Sequence, residues 1–376
     1  MFEMHINHGL QGIVALETDI SQVNGTTGTL EYRGYDIHDL ATHSSFEEVT
    51  YLFLYKHLPT RLELTKFCDE LSTQRDLPDK IVNVLHQLPS FTHPSVIYRT
   101  AISCLGTLDP QLKVISPDEN LRKAKDLIAK TPTIIAYHQN IRNHSPITRP
   151  RDDLNHAANM LWMLNGIEPE SIAVKALDLA LVLHAEHTLN ASTFAARISA
   201  STLSDMYACV VAATGTLFGP LHGGASQQVI NMLRTLEGKD QAALTHWVDD
   251  KLSHGEKIMG FGHRVYKTMD PRAFELRKMA QQLDELTGKT WVARSDQLAD
   301  IVFQKKGLYP NVDFYAGSVY ANLGIPDDQF INMFTMSRIV GWTTHMLDQY
   351  NNNKLIRPLQ KYCGDENRSY THLDNR

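Results

Sequence analysis

The stretch from Pro169 to Asn190, PESIAVKALDLALVLHAEHTLN, sets the character of the chain. Pro169 opens an Ala/Leu-rich run with almost no polar face, so the pattern predicts a helix buried on every side. It ends in His184, Glu186 and His187. Outward from this helix, helix signals continue in both directions. Ser45-Phe-Glu-Glu48 is a capping box ahead of VTYLFLYKHL (49–58), and Thr60-Arg-Leu-Glu63 is a second one directly after Pro59. His93-Pro94 opens a segment that ends at Gly106, and Pro117-Asp118-Glu119 starts a long amphipathic stretch. Ser204-Asp205 caps MYACVVAATGTLF (206–218), and Asp270-Pro271 is an N-cap followed by proline at the first helical position. Pro326-Asp327-Asp328 starts a last long helix through Trp342 and His345. The one clear strand signal lies near the start, where Ile20–Val23 and Thr29–Tyr32 flank Asn24-Gly25 and Gly28, a hairpin with a short loop. Strands of alternating polarity are missing across residues 40–350. The expected fold is therefore all-α, with roughly 15–20 helices of ordinary length and a short N-terminal β-hairpin.

Composition narrows the function. A chain of 376 residues, 43% hydrophobic and 21% charged, fits two or three globular domains and buries a large core without staples. A net charge of −6 and a pI near 6.3 argue against nucleic-acid binding as the main task, while leaving room for a local basic pocket. The cysteines, Cys68, Cys104, Cys209 and Cys363, lie far apart and form no CxxC pair, which predicts a reduced, cytoplasmic protein with buried thiols and no cysteine metal site. The opening MFEMHINHGLQGIV lacks the basic-then-apolar order of a signal peptide, and no run of 18 apolar residues predicts a membrane span.

Four segments combine glycine, histidine and charge beyond what helices need. In FGPLHGGA (218–225), Gly219-Pro220 breaks the preceding helix and Gly223-Gly224 lets a ligand approach His222. His222 reads either as a donor to a substrate oxygen or as a helix-end histidine capping carbonyls. In GFGHRVYKTMDPRA (260–273), Gly260 and Gly262 bracket Phe261, and His263, Arg264, Lys267 and Arg272 follow. A glycine loop with clustered cations suits an anionic ligand, the alternative being a solvated basic turn. In NVDFYAG (311–317), Asp313 among Val312, Phe314 and Tyr315 is either a carboxylate of raised pKa or the N-cap of the helix through Leu323. In HAEH, His184 and His187 are spaced as metal ligands, but no third ligand stands at a recognisable spacing. The expectation is one partly buried and one functional histidine, with no metal.

Taken in series, these segments resemble the citrate synthase family. The likeness runs from GLQGIVALETDIS and TLEYRGYDIHDL through SSFEEVTYLFLYKHLP to LIRPLQ (355–360) and covers nearly the whole chain. The resemblance implies a large helical domain, 1–222 with 324–376, and a smaller inserted helical domain, 223–323. The breaks at 219–224 and 260–263 are the hinge candidates. It implies a homodimer whose cleft closes on oxaloacetate. It further implies that His222 hydrogen-bonds the acetyl-CoA thioester carbonyl, that His263 hydrogen-bonds the ketone of oxaloacetate, and that Asp313 removes the methyl proton. His187, Arg272 and Arg338 match oxaloacetate ligands, and Arg357 matches one contributed by the partner subunit. Gly260, Phe261, Gly262, Arg264 and Lys267 lie where the family holds coenzyme A. The implied reaction gives citrate and CoA, as in the tricarboxylic acid cycle, without metal or redox cofactor, acetyl-CoA being a substrate. A 2-methylcitrate synthase using propionyl-CoA is the nearest alternative. The start of the chain close to the first shared motif implies that it lacks the N-terminal extension of the hexameric, NADH-inhibited relatives.

Overall fold

The computed structural model describes residues 6–376; Met1 to His5, and with them the opening of the stretch read for a signal peptide, lie outside the described residues. Among the described residues there are sixteen α-helices and one small sheet. The sheet comprises β1 (Ser21–Asn24), β2 (Thr29–Tyr32) and β3 (Tyr35–Asp36). The helices are α1 (Ile37–His43), α2 (Phe46–Tyr55), α3 (Arg61–Thr73), α4 (Asp79–Gln87), α5 (Pro94–Leu108), α6 (Pro117–Arg142), α7 (His156–Asn165) and α8 (Ser171–His184). They continue as α9 (Ala191–Ser201), α10 (Met206–Leu217), α11 (Ala225–Thr235), α12 (Gln241–Ser253), α13 (Pro271–Thr287), α14 (Trp291–Lys306), α15 (Val312–Asn322) and α16 (Phe330–Asn351). The all-α expectation and the early hairpin hold.

The helices start where the chemistry of their first residues dictates. Both capping boxes form, Ser45 with Glu48 and Thr60 with Glu63. Asp205 caps α10 through Ala208 N–H, and Asp270 caps α13 ahead of Pro271. Helix α8 is buried all round only in its second half, Ala180–His184, while Ser171 and Lys175 near its start are exposed; its last turn carries His184 into the interior. Helix α6 departs from the reading. Buried positions run from Asn120 to Asn140 around its whole circumference, not along one stripe. Its lysines are accommodated one by one: Lys123 Nζ donates to the carbonyls of Leu112 and Val114 at 3.1 and 2.8 Å, and Lys125 pairs with Glu70 at 2.8 Å. The last helix begins at Phe330, after a 3₁₀ turn at Asp327–Gln329, rather than at Pro326. It packs against α6, α8, α9 and α10, with Trp342 fully buried. Helices α11 to α15 pack on one another, and α11, α13 and α15 also touch α16 or α8.

The hairpin starts one residue later than read and gains a third strand. β1 and β2 pair antiparallel with Ser21 opposite Tyr32, and β3 turns back on β2 at Tyr32 and Tyr35. Asn24 Oδ1 accepts the amides of Thr26 and Thr27, which closes the first turn. The expectation of buried thiols holds for Cys209; Cys68 and Cys104 are half-buried, and Cys363 is exposed because it lies on the irregular tail after α16. No helix among the described residues is long and apolar enough to cross a membrane.

Candidate active site

Side chains from four separate segments converge in the interior around Arg272 and Arg338. The turn after α8 carries His187, which is 7% exposed. Its Nε2 lies 3.2 Å from the Tyr266 hydroxyl, and its ring centroid lies 5.0 Å from that of His263. The glycine loop holds His263 by its backbone: the amides of Val265 and Tyr266 donate to Nδ1 at 3.0 and 3.2 Å. These partners assign the remaining proton of the neutral ring to Nε2, which is left as the donor. Burial, with help from Arg272, pushes His263 down to about 4.

His222 follows the same logic in mirror image. The backbone amide of Ser192 donates to its Nε2 at 3.3 Å, with the Ser192 hydroxyl at 2.9 Å. The proton of the neutral imidazole is thereby assigned to Nδ1. Burial and then Arg338 hold His222 down to about 4. The helix-end capping role considered for His222 is not taken up, since its ring meets the start of α9 and not the carbonyls of α10. His187 is held well below the ordinary range by burial, and next by Arg272 and the other imidazole. At neutral pH all three rings are uncharged hydrogen-bonding groups.

Asp313 sits in the first turn of α15. The cap of that helix is Asn311, whose side chain accepts the amide of Asp313, so the capping alternative for Asp313 is displaced by a neighbour. Burial raises its carboxyl to about 6, against the pull of Arg272 and Arg338. The glycine loop is tied to this helix start: Gly262 N–H donates to Tyr309 O at 2.9 Å, and Asn311 N–H to Gly260 O at 2.8 Å.

The two arginines differ. Arg272, 3% exposed, forks onto Asp270 through Nε and Nη2 at 3.0 and 2.8 Å; burial opposes its charge, but Asp270 more than restores it. Asp270 also accepts Val312 N–H at 3.2 Å, which links the pair to the helix of Asp313. Arg338, 1% exposed, donates from Nε to His184 O at 2.7 Å and lies over Phe334 at 4.7 Å. Among the described residues it has no carboxylate within 4.0 Å, and burial lowers it to about 10. Glu186 and then Asp313 act on this cation only from beyond contact, so its burial is incompletely offset until an anion arrives.

The other assignments separate. His184 donates from Nδ1 to Ala180 O at 2.8 Å and packs on Phe334, a core histidine. Among the described residues no three His, Cys, Asp or Glu side chains cluster in a way that could hold a metal ion. Gly260 and Phe261 line a cavity of about 510 Å³, together with Lys257, Ile258, Met259 and Lys306. Gly262 and Lys267 line a smaller one of about 220 Å³ that reaches His263, and Arg264 is exposed. Arg357 is exposed on the tail and makes no hydrogen bond or ion pair to the others within one chain. Sequence reading missed Ser192, Lys257 and Lys306, which carry no motif of their own, passed over Tyr266 inside the glycine–histidine segment, and took Asp270 only as a cap.

A site with neutral imidazoles, a raised carboxyl and a buried guanidinium that touches no carboxylate, set in an all-α fold, has the groups to hold an anion and to move a proton. Residues 9–359 match the family described as citrate synthase, C-terminal domain. The chain is 43% identical to the citrate synthase of Haloferax volcanii, with 99% of each chain covered. It is 44% identical to citrate synthase 2 of Bacillus subtilis, over 99% of this chain and 100% of that one. The solved ternary complex of citrate synthase from Thermoplasma acidophilum with carboxymethyl coenzyme A and oxaloacetate superposes with a TM-score of 0.92 at 31% identity, covering 98% and 99% of the two chains. Proteins named 2-methylcitrate synthase match at lower identity, such as one from Corynebacterium glutamicum at 38% over 99% of this chain and 98% of that one. The chain belongs to the citrate synthase family, whose members are acyltransferases.

Proposed function

We propose that the protein condenses acetyl-CoA with oxaloacetate and water to give citrate and CoA, with His222, His263 and Asp313 as its catalytic groups. The observation that carries this reading is Arg338, a buried guanidinium without a carboxylate, beside a carboxyl poised near 6. Asp313 takes a methyl proton from the thioester while His222 Nδ1–H donates to its carbonyl oxygen. One such donor is worth about 3–4 kcal/mol in the transition state. The enol or enolate carbon attacks the ketone carbon of oxaloacetate, whose oxygen takes a hydrogen bond from His263 Nε2–H. Water then cleaves the thioester of citryl-CoA, releasing the thiol. Arg338, Arg272, His187 and a partner-derived Arg357 hold the two carboxylates. Charge-assisted bonds of this kind contribute about 1.5–3 kcal/mol each. No metal or redox cofactor takes part. The cavity at Gly260 and Phe261, with Lys257 and Lys306 on its wall, is where CoA would lie, with Gly262 and Lys267 lining the smaller cavity and Arg264 exposed on the same loop.

In the same reading residues 223–323 form a small domain that closes on the rest, supported by the mutual packing of α11 to α15. The protein acts as a cytoplasmic homodimer in the tricarboxylic acid cycle. The exposed Leu355, Leu359 and Tyr362 around Arg357 support an arm laid on a second copy. The identities to 2-methylcitrate synthases keep one alternative in view. The test is thiol release with oxaloacetate against acetyl-CoA and propionyl-CoA in parallel. The expected result is a kcat/KM at least about tenfold higher for acetyl-CoA, the range one methylene commands. The reverse preference would make the protein a 2-methylcitrate synthase, and release independent of oxaloacetate would overturn both.

A further inference from the structure

We propose that Tyr266 is a positioning residue for oxaloacetate, and that the turn of the N-terminal hairpin, residues 24–28, sets its place. This rests on the reading of the site given above. Tyr266 is 3% exposed and touches both imidazoles of the keto-acid pocket. Its hydroxyl lies 3.2 Å from His187 Nε2, and its amide donates to His263 Nδ1 at 3.2 Å. Its ring fills the space beside them, with centroids 4.7 Å from His263 and 5.5 Å from His187. The amide fixes which nitrogen of His263 can donate. The hydroxyl fixes the rotation of His187.

The loop that carries Tyr266 is held from outside. Lys267 N–H donates to Gly25 O at 2.8 Å, and the turn packs so close that a Cβ on Gly25 would collide with the Val265 carbonyl. At Gly28 a Cβ would lie 2.7 Å from Thr268 Cγ2. The same small sheet also holds the segment that carries the other imidazole, through Glu186. The Tyr32 hydroxyl donates to Glu186 O at 2.9 Å, and the Ser21 hydroxyl donates to Glu186 Oε1 at 3.2 Å, one residue before His187. The sheet therefore bridges the two segments that bear His187 and His263, and its register sets their separation.

The test uses full-length Tyr266→Phe and Gly25→Ala. Tyr266→Phe keeps the ring and the amide and removes the hydroxyl. Gly25→Ala changes the identity of no site residue and forces the Val265 carbonyl, and the loop that holds His263, to move. Steady-state kinetics, calorimetric titration with oxaloacetate and thermal midpoints are measured together. Both variants should raise the oxaloacetate KM and Kd about 3–10-fold, as a lost hydrogen bond would. The acetyl-CoA KM should stay within twofold and the midpoint of Tyr266→Phe should be unchanged. Oxaloacetate constants within twofold of the parent overturn the proposal, as does a loss shared equally by both substrates with a lowered midpoint. If Gly25→Ala does not fold, Tyr266→Phe alone decides. A parent that binds oxaloacetate but releases no thiol would sink the condensation while the binding shifts still judge Tyr266. An active parent with unchanged variants would sink this proposal alone.

Discussion

Asp313 illustrates how far a single residue can be read. Its apolar neighbours in NVDFYAG pointed to a raised carboxyl, and burial does raise it to about 6. What the string of letters could not rank was the competing role as a helix cap, because Asn311, two residues earlier, takes that role. The sign of the pH dependence follows. A base must be ionised, so kcat/KM should rise with pH through about 6 and level above it. Stability moves the other way. Between the ordinary value of 3.8 and about 6 the folded state holds this proton more tightly than the unfolded one, so the group's contribution falls as pH rises across that window. Asp313→Asn should therefore cut kcat about 10²–10⁴-fold without lowering the melting midpoint at pH 8. A variant retaining most of its rate would remove Asp313 as the base.

At the scale of elements, capping chemistry made most helix starts legible, because a cap is a local event between residues three apart. Burial was less legible. Helix α6 reads as amphipathic because its lysines are polar letters, yet each lysine finds a carbonyl or carboxylate inside the fold. The third strand was also missed, being only two residues long. A close approach between helices leaves no local trace either. Gly341 lies inside α16, its amide donates to Ala185 O at 3.2 Å, and a Cβ there would stand 2.5 Å from that oxygen and collide with Glu186. Gly341→Ala should cost about 1–3 kcal/mol of stability, the usual penalty of overpacking. It should also raise the oxaloacetate KM, since Arg338 and His187 ride on the two elements pushed apart. Denaturant midpoints and kinetics on the same preparation check both, and an unchanged midpoint would refute the contact.

On the scale of the whole molecule, the four segments of the site are spread between residues 184 and 317, and composition alone said nothing of their meeting. Their order along the chain, matched to a family, did. One member stays outside: Arg357 lies exposed on the tail, six residues beyond the end of α16. In the proposed dimer Arg357→Leu should raise the oxaloacetate KM about tenfold or more, the worth of a charge-assisted pair. Mixed dimers of Arg357→Leu with Asp313→Asn should recover part of the activity if the arginine works across the interface. Failure of that rescue with intact dimers would place Arg357 in its own subunit's site or in none. The hairpin has a different consequence at this scale. Ribbons of so few residues fray well before helices that are buried along their length. Heat should therefore silence the enzyme several degrees before circular dichroism registers any loss of helix, as the two histidine-bearing segments lose their common brace.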